Sequence, residues 1–458
     1  MPAAVAILNF VILICFIFVS KIGVVMLKPK DFKFDDESFL IEGGRALKGT
    51  VVASGGKNAV LPLMAASLLA EGETVIEGVP DLMDVRTMSS VISHLGAQVF
   101  YEEKNKTMRI LFRGFTTHEA PYEFVTKMRA SVYVMAPLLA VMGKAKIALP
   151  GGCAIGVRPV NFHLEGFRAL GSRINVEHGY IEASVKKLKG TRIVFPWKSV
   201  GATINIMIAS VLASGETLIE NAASEPEVVE TARFLKAMGA EIEGEGTETI
   251  KITGVKTLNP VRWKVMPDRI EVGTFAILGA MDGNDIKVEN ARADHLTAAL
   301  LKLEEAGAEV DAGESFIRVK GKNLRGVEVE TLPYPGFPTD LQAPIMAALT
   351  RAKGTSIITE TIFENRFLHV GELLRFGADI TVKGRTAIIK GVKKLYGAEV
   401  TCPDLRGGAA LVMAALIAEG ESLVHDIYHI DRGYEKFEEK LSSLGARIER
   451  VKEFRTRD

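Results

Sequence analysis

Leu212-Ala213-Ser214-Gly215-Glu216-Thr217-Leu218-Ile219 decides the fold, because the chain repeats it. Close copies stand at Leu69-Ala70-Glu71-Gly72-Glu73-Thr74-Val75-Ile76 and Ile417-Ala418-Glu419-Gly420-Glu421-Ser422-Leu423-Val424. Looser ones run over 139–143, 277–283 and 349–354. The turn glycines therefore fall at 72, 143, 215, 283, 354 and 420, a near-constant period. A second signature keeps step with them: Leu95-Gly96-Ala97, Leu170-Gly171-Ser172, Met238-Gly239-Ala240, Ala306-Gly307-Ala308, Phe376-Gly377-Ala378 and Leu444-Gly445-Ala446. Two glycine marks in fixed phase are the sign of a repeated structural unit.

Each unit reads the same way. An apolar helix, as over 59–69, ends at a glycine suited to a left-handed C-terminal cap, and a β-rich run such as 73–77 follows. An amphipathic helix comes next, as over 228–238 or 295–306. A second glycine cap and an alternating strand, such as 241–243 or 447–449, close the unit. Six such α/β units are each too small to bury a core alone, so they must pack on one another. The first helix of each unit is apolar almost all round, which predicts helices inside and sheets outside. Between Asn259-Pro260 and Met266-Pro267 the character changes. Dividing there gives two similar domains of three units: 57–260, and 36–56 together with 261–458, since the sixth unit needs a partner strand. Their cleft is the natural ligand site.

Composition sets the outer bounds. Of 458 residues, 48% are hydrophobic and 24% charged, as in a well-cored globular protein. Lys+Arg and Asp+Glu are both 56, so no general nucleic-acid partner is indicated, and an anionic ligand must be met by locally clustered arginines. Cys15, Cys153 and Cys402 form a sparse, odd set without metal spacing, which fits a reducing, cytoplasmic compartment. Residues 1–25 do not match the rest, being nearly all apolar from Pro2 to Val19. They read as a start-site artefact with translation beginning at Met26, as a barely long enough membrane anchor, or as a signal peptide lacking a basic start. Membrane contact is expected only if this leader is real.

Chemistry concentrates at a few places. Pro150-Gly151-Gly152-Cys153-Ala154-Ile155-Gly156-Val157-Arg158-Pro159 reads as an irregular loop presenting a thiol near a guanidinium, which favours the thiolate. An inert Gly-rich turn is the plainer reading of that stretch alone. Ser54-Gly55-Gly56-Lys57-Asn58 precedes a helix without Walker spacing, yet its backbone donors and Lys57 suit an anion. Arg129, Arg366, Arg406 and Arg432 each read singly as surface or loop residues; together they put guanidiniums at repeat junctions, where planar forks hold phosphate or carboxylate. Asp340, after Pro338-Thr339, is either a helix N-cap or a general base.

The motifs SGGKNA (54–59), PGGCAIGVRPV (150–160), SVGAT (199–203), NAASEPEVVETA (221–232), PDRIEVGTF (267–275), FPTDLQA (337–343), ENRFLHV (364–370), DLRGGAAL (404–411) and HIDRGYEK (429–436) stand in this order. Over about residues 38 to 452 they resemble the UDP-N-acetylglucosamine 1-carboxyvinyltransferase family. The resemblance implies the enolpyruvyl transferase fold, two inside-out α/β barrels, and transfer of the enolpyruvyl group of phosphoenolpyruvate to the 3′-hydroxyl of UDP-N-acetylglucosamine in the first committed peptidoglycan step. It implies Cys153 as general acid, fosfomycin target and carrier of a covalent adduct, with Asp340 as base and Lys57 and Arg432 as catalytic cations. Lys57, Asn58, Arg158, Arg406 and Arg432 would bind phosphoenolpyruvate. Asn58, Arg129, Arg158, Pro159, Val160, Asn161, Phe162, Ser199, Val200, Asp340 and Ile362 would hold the UDP-sugar. No metal or other cofactor is implied. Asn161 departs from the family's usual Asp, and Trp197 stands where it can reach the nucleotide. Two other readings are the sister shikimate-pathway transferase, which does without the cysteine loop, and a silent nucleotide-sugar-binding protein.

Overall fold

The computed structural model describes residues 24–26, 37–125, 128–149 and 160–452. The described residues form six sheets, and the third unit shows their common plan. Its inner helix Val200–Ser210 feeds the strand Glu216–Glu220, the outer helix Pro226–Ala237 follows, and Glu241–Glu243 returns beside Thr249–Thr253. Arg192–Val194 pairs parallel with Glu216–Glu220, and the remaining pairs are antiparallel. The fifth sheet repeats this order with Glu328–Glu330, Thr355–Thr359, Thr386–Lys390 and Asp379–Lys383. The parallel pair arises because a whole inner helix separates its strands, whereas a short turn suffices between Glu241–Glu243 and Thr249–Thr253.

Burial separates the two helix sets as their sequences require. Every residue of Arg269–Ala280 and of Gln342–Leu349 is buried, and in Leu405–Ile417 burial runs from Arg406 to Leu416. A helix apolar on all sides is stable only inside, so these pack on one another while the sheets close around them. The outer helices bury one face: Pro226–Ala237 hides Val228, Ala232, Phe234 and Leu235 and leaves Arg233 and Lys236 outside.

The described residues hold two apolar cores. One is drawn from between Ala59 and Met266, the other from Phe39–Ala53 and Ile270–Leu444. The chain passes between them twice. Glu37–Glu42 lies between Glu421–His425 and Arg447–Lys452 in the sixth sheet, and Lys48–Val52 runs parallel to Asp285–Glu289 in the fourth. The chain then leaves through Ser54-Gly55-Gly56 and returns through Met266-Pro267-Asp268. The passes are tied by Gly56 N–H to the Met266 carbonyl and Asp268 N–H to the Ser54 carbonyl, both 2.8 Å. Gly55 is obligatory here, since a Cβ would sit 2.0 Å from the Gly78 carbonyl oxygen. We propose these crossings as the boundary between domains 57–260 and 36–56 plus 261–458. Of the leader, residues 1–23 lie outside the described residues, and Val24–Met26 is an edge strand beside Gln98–Glu102. Among the described residues no helix is long and apolar enough to cross a membrane.

The glycine marks divide into two roles. The second mark caps the outer helices: Gly239, at φ 108°, follows Met238, and Ala240 N–H reaches back to the Leu235 carbonyl at 2.9 Å, closing a Schellman turn. The same backward bond follows Gly96, Gly171, Gly307, Gly377 and Gly445. The first mark differs from expectation. Gly143 caps its helix, but Gly215 lies beyond the helix end at Ser210, and Gly72 already opens the strand Gly72–Glu77. The inner helices end earlier because the chain needs a few residues to climb from the core to the sheet.

Gly239→Ala, with nothing within 4 Å of an added Cβ, carries only the left-handed backbone penalty, so urea unfolding should report a loss of about 1–2 kcal/mol. Gly391→Ala would place its Cβ 1.6 Å from the Ala352 carbonyl oxygen, and should lose at least about 3 kcal/mol by the same measurement.

Candidate active site

Lys57 opens the helix Lys57–Ala66 and is 8% exposed. Its position follows from the crossing: the two glycines let the backbone pass close to the returning strand, and the next residue enters the first half's core. Its backbone N–H donates to the Asp268 carboxylate at 3.2 Å, while the other carboxylate oxygen of Asp268 caps the helix Arg269–Ala280. The helix-start donor that the glycine-rich sequence offers to an anion is therefore taken by a side chain of the second half. The ammonium remains the anion-directed group.

That ammonium meets Asp84, at the start of the helix Met83–His94, at 3.1 Å. The other oxygen of Asp84 accepts from Arg432 Nε at 3.0 Å. A carboxylate of the first half thus sits between a cation of its own half and one of the other. Burial pulls Lys57 below the ordinary lysine value; Asp84 opposes this, and Arg406 and Arg432 add to it. Burial pushes the Asp84 carboxyl up, but Lys57 and Arg432 together outweigh that and hold it below its ordinary value. Lys57 is thus a buried cation pressed by two further cations, an arrangement that favours arrival of an anion.

Asp340 lies inside the short turn Thr339–Leu341, not at its N-cap, so the capping reading is wrong. One oxygen accepts from Arg366 Nη2 at 2.7 Å and the other from Arg406 Nη2 at 3.2 Å. Both arginines are buried, and their Nη1 atoms lack partners among the described residues. Arg406 lies over the ring of Tyr434 at 5.2 Å, and the Tyr434 hydroxyl meets Thr274 Oγ1 at 2.9 Å. The Asp404 side chain caps the helix carrying Arg406 through the N–H groups of Arg406 and Gly407. Asp340 is therefore an ion-paired carboxylate rather than one dried by apolar walls. Arg366, one of the arginines that the sequence places at repeat junctions, is a partner of the candidate base.

Two of the remaining candidate segments, the starts of the helices Asn161–Ala169 and Val200–Ser210, lie side by side. Val160 is the N-cap of Asn161–Ala169, and Ser199, N-cap of Val200–Ser210, accepts from Ala202 N–H at 3.4 Å. Phe162 joins these helix starts, packing edge-on against Trp197 at 4.9 Å and near Phe195 at 6.0 Å. Asn161 is exposed and Trp197 is 64% exposed, so both face whatever lies outside. Ile362 donates its backbone N–H to Glu360 at 2.9 Å, and Asn58 is half-buried beside Lys57. Arg129 begins the turn Arg129–Val134. Cys153, Arg158 and Pro159 lie outside the described residues. Among the described residues no group of His, Cys, Asp or Glu could hold a metal ion.

Sequence reasoning missed Asp84, Asp268 and Glu360. Asp84 in Asp81-Leu82-Met83-Asp84 looks like any acid at a helix start, and its partner Arg432 is 348 residues away. No local signal announces that contact.

The profile of the EPSP synthase (3-phosphoshikimate 1-carboxyvinyltransferase) family matches residues 41–441. The chain is 53% identical over 413 residues to UDP-N-acetylglucosamine 1-carboxyvinyltransferase 1 of Caldanaerobacter subterraneus subsp. tengcongensis, covering 90% of this chain and 99% of that relative. It is 54% identical over 419 residues to UDP-N-acetylglucosamine 1-carboxyvinyltransferase 2 of Carboxydothermus hydrogenoformans, covering 91% and 99%. Among solved structures, the enolpyruvyl transferase NikO from Streptomyces tendae matches with a TM-score of 0.83 at 24% identity, over 92% of this chain and 100% of that one. EPSP synthase from Acinetobacter baumannii matches at 0.71 and 21%, over 91% and 100%. At such identities the structural likeness speaks for the fold alone.

His369, beside Arg366, supplies a pH test. Burial pushes it down to about 4, with Arg366 adding to this and Asp404 opposing. The unfolded chain takes up this proton below its ordinary value of 6.5, the folded one only near 4. Stability contributed by keeping this ring neutral is therefore full above 6.5 and lost as pH falls towards 4, by up to about 3 kcal/mol. Denaturation between pH 7 and 4 should show that slope, and His369→Asn should flatten it.

Proposed function

We propose, for a chain that belongs to the UDP-N-acetylglucosamine 1-carboxyvinyltransferase family within the EPSP synthase group, that it transfers the enolpyruvyl group of phosphoenolpyruvate to the 3′-hydroxyl of UDP-N-acetylglucosamine. That is the first committed step of peptidoglycan synthesis. The observation that carries this reading is a carboxylate, Asp340, between two buried guanidiniums, with a second cation–carboxylate–cation set at Lys57, Asp84 and Arg432.

Phosphoenolpyruvate has two anionic ends. Lys57, Arg406 and Arg432, with Arg158 and Asn58, bind its phosphate and carboxylate, planar forks and a point charge together suiting both shapes. Asp340 takes the proton of the sugar 3′-hydroxyl as its oxygen forms a bond to C2, while Cys153 delivers a proton to C3. The tetrahedral adduct then loses phosphate from C2 and a proton from C3, restoring the double bond in the enolpyruvyl ether. The cations stabilise negative charge as the C2–O bond to phosphate breaks, the largest kind of electrostatic contribution such a site can make. Asn58, Arg129, Arg158 to Phe162, Ser199, Val200 and Ile362 hold the UDP-sugar, with Trp197 closing against Phe162. Asn161 replaces a charge by an amide, which keeps hydrogen bonding while altering the nucleotide contact. A thiol that must stay reduced supports a cytoplasmic setting.

Phosphate release from phosphoenolpyruvate, measured with protein beginning at Met26, tests the reaction. Release should require UDP-N-acetylglucosamine and stop with fosfomycin; release that needs shikimate 3-phosphate instead contradicts the acceptor. Asp340→Asn should lower kcat about 10²–10⁴-fold. Cys153→Ala should lose turnover and keep UDP-sugar binding in calorimetry, whereas Cys153→Asp should turn over and resist fosfomycin, because a carboxylic acid donates a proton but is poorly alkylated. A fosfomycin-sensitive Asp variant contradicts the thiol as the target.

A further inference from the structure

Resting on the reading of Asp340 as the base, we propose that Glu360 is a positioning residue for this reaction: its carboxylate ties the turn carrying Asp340 to the turn carrying Ile362 and to the support of Arg366. Glu360 is 1% exposed and stands one residue past the strand Thr355–Thr359. Its Oε1 accepts from Thr331 Oγ1 at 2.9 Å, Ile362 N–H at 2.9 Å and Phe363 N–H at 3.0 Å. Its Oε2 accepts from Thr339 Oγ1 at 2.8 Å. These four donors are two hydroxyls and two backbone amides. Together they stabilise a buried carboxylate that would otherwise be expensive to desolvate.

The donors belong to three segments, all of which this one carboxylate joins. Thr339 immediately precedes Asp340 in the turn Thr339–Leu341. Ile362 is a candidate sugar contact. Phe363 presents its ring to the Arg366 guanidinium at 5.3 Å, and Arg366 in turn holds Asp340 at 2.7 Å. Thr331, the fourth donor, receives Thr361 N–H at 3.0 Å and so closes the turn from the other side. Glu360 therefore constrains Asp340 twice, through the backbone before it and through the footing of its ion partner. A base displaced by about 1 Å loses roughly a hundredfold in rate, so a fixed anchor of this kind matters for turnover more than for folding.

Chemistry distinguishes the carboxylate from its neutral isostere. A glutamine NH₂ in the Oε1 position would face three donors, which is untenable; in the Oε2 position it would face the Thr339 hydroxyl, which can rotate to accept. Glu360→Gln should thus retain the network in weaker form, Thr339→Val should cut only the tie to the Asp340 turn, and Glu360→Ala should remove every tie.

The test is steady-state phosphate release from phosphoenolpyruvate with UDP-N-acetylglucosamine for wild type, Thr339→Val, Glu360→Gln and Glu360→Ala, with a thermal melt of each. Thr339→Val should lower kcat about tenfold to a hundredfold with KM for phosphoenolpyruvate and the melting temperature near wild type. Glu360→Ala should fall further, and Glu360→Gln should recover part of that loss. Wild-type kcat in both Thr339→Val and Glu360→Gln overturns the role, as does a loss that merely tracks lost folded protein. Wild-type turnover in the same plate separates this from the reaction itself. A wild type that releases phosphate only with shikimate 3-phosphate contradicts the proposed acceptor, and the same four-protein comparison with that hydroxyl still decides Glu360.

Discussion

The site depends on one carboxylate, Asp84, placed between the buried ammonium of Lys57 and the guanidinium of Arg432. Burying an unpaired charge costs several kcal/mol, so neither the buried Lys57 ammonium nor the buried Asp84 carboxylate is tolerable alone. Their partner Arg432 belongs to the other half of the chain. The pairing therefore makes the relative position of the halves part of the site's electrostatics. Every further cation in the vicinity then acts on a position already fixed. Arg406 lowers the proton affinity of Lys57 and also shares Asp340 with Arg366, which links the two cation–carboxylate sets into one field. A phosphate-bearing ligand entering such a field replaces water around several cations at once, which is where preorganised charge contributes most.

The scaffold explains why these groups converge. The inner helices are buried on all sides, so their first turns are the places where a chain emerging from the core can expose a charged side chain at a junction. Lys57, Arg269 and Arg406 each stand at the first or second residue of such a helix. Asp268 and Asp404 cap the second and third of these, with carboxylate oxygens on backbone N–H groups. Repetition of a helix-in, sheet-out unit thus places similar polar helix starts at the junction of the halves. The crossing strands at Ser54 and Asp268 add Glu435, which accepts from Ser54 Oγ at 2.6 Å and Asp81 N–H at 2.9 Å and so spans the same junction.

The six-unit plan was legible because it rests on local rules. A glycine at the residue after an outer helix marks a Schellman turn wherever it occurs, and Gly239 and its five equivalents obey it. The first glycine mark misled at Gly72 and Gly215, since a glycine between helix and strand serves the turn as readily as the cap. The acid at Asp340 and the cations at Lys57, Arg406 and Arg432 were readable as candidates, because charged residues at repeat junctions are conspicuous. Their partners were not. Asp84 resembles a helix-start acid and Glu360 in Thr359-Glu360-Thr361 the end of an amphipathic strand, while Arg366, conspicuous with the other junction arginines, gives no sign of its pairing with Asp340. What makes each of them matter is a contact across tens to hundreds of residues, which no window of sequence contains.

The shared cation field is tested most directly by a double-mutant cycle on phosphoenolpyruvate binding, followed by calorimetry in the presence of UDP-N-acetylglucosamine. The proteins all carry Cys153→Ala, so that bound phosphoenolpyruvate is not turned over, either alone or with Lys57→Ala, Arg432→Ala or both. If both cations act on one ligand around one carboxylate, each single substitution weakens binding and the double loss departs from the sum by at least about 0.5 kcal/mol. Strictly additive losses, or phosphoenolpyruvate binding untouched by either substitution, would contradict a site shared between the two halves.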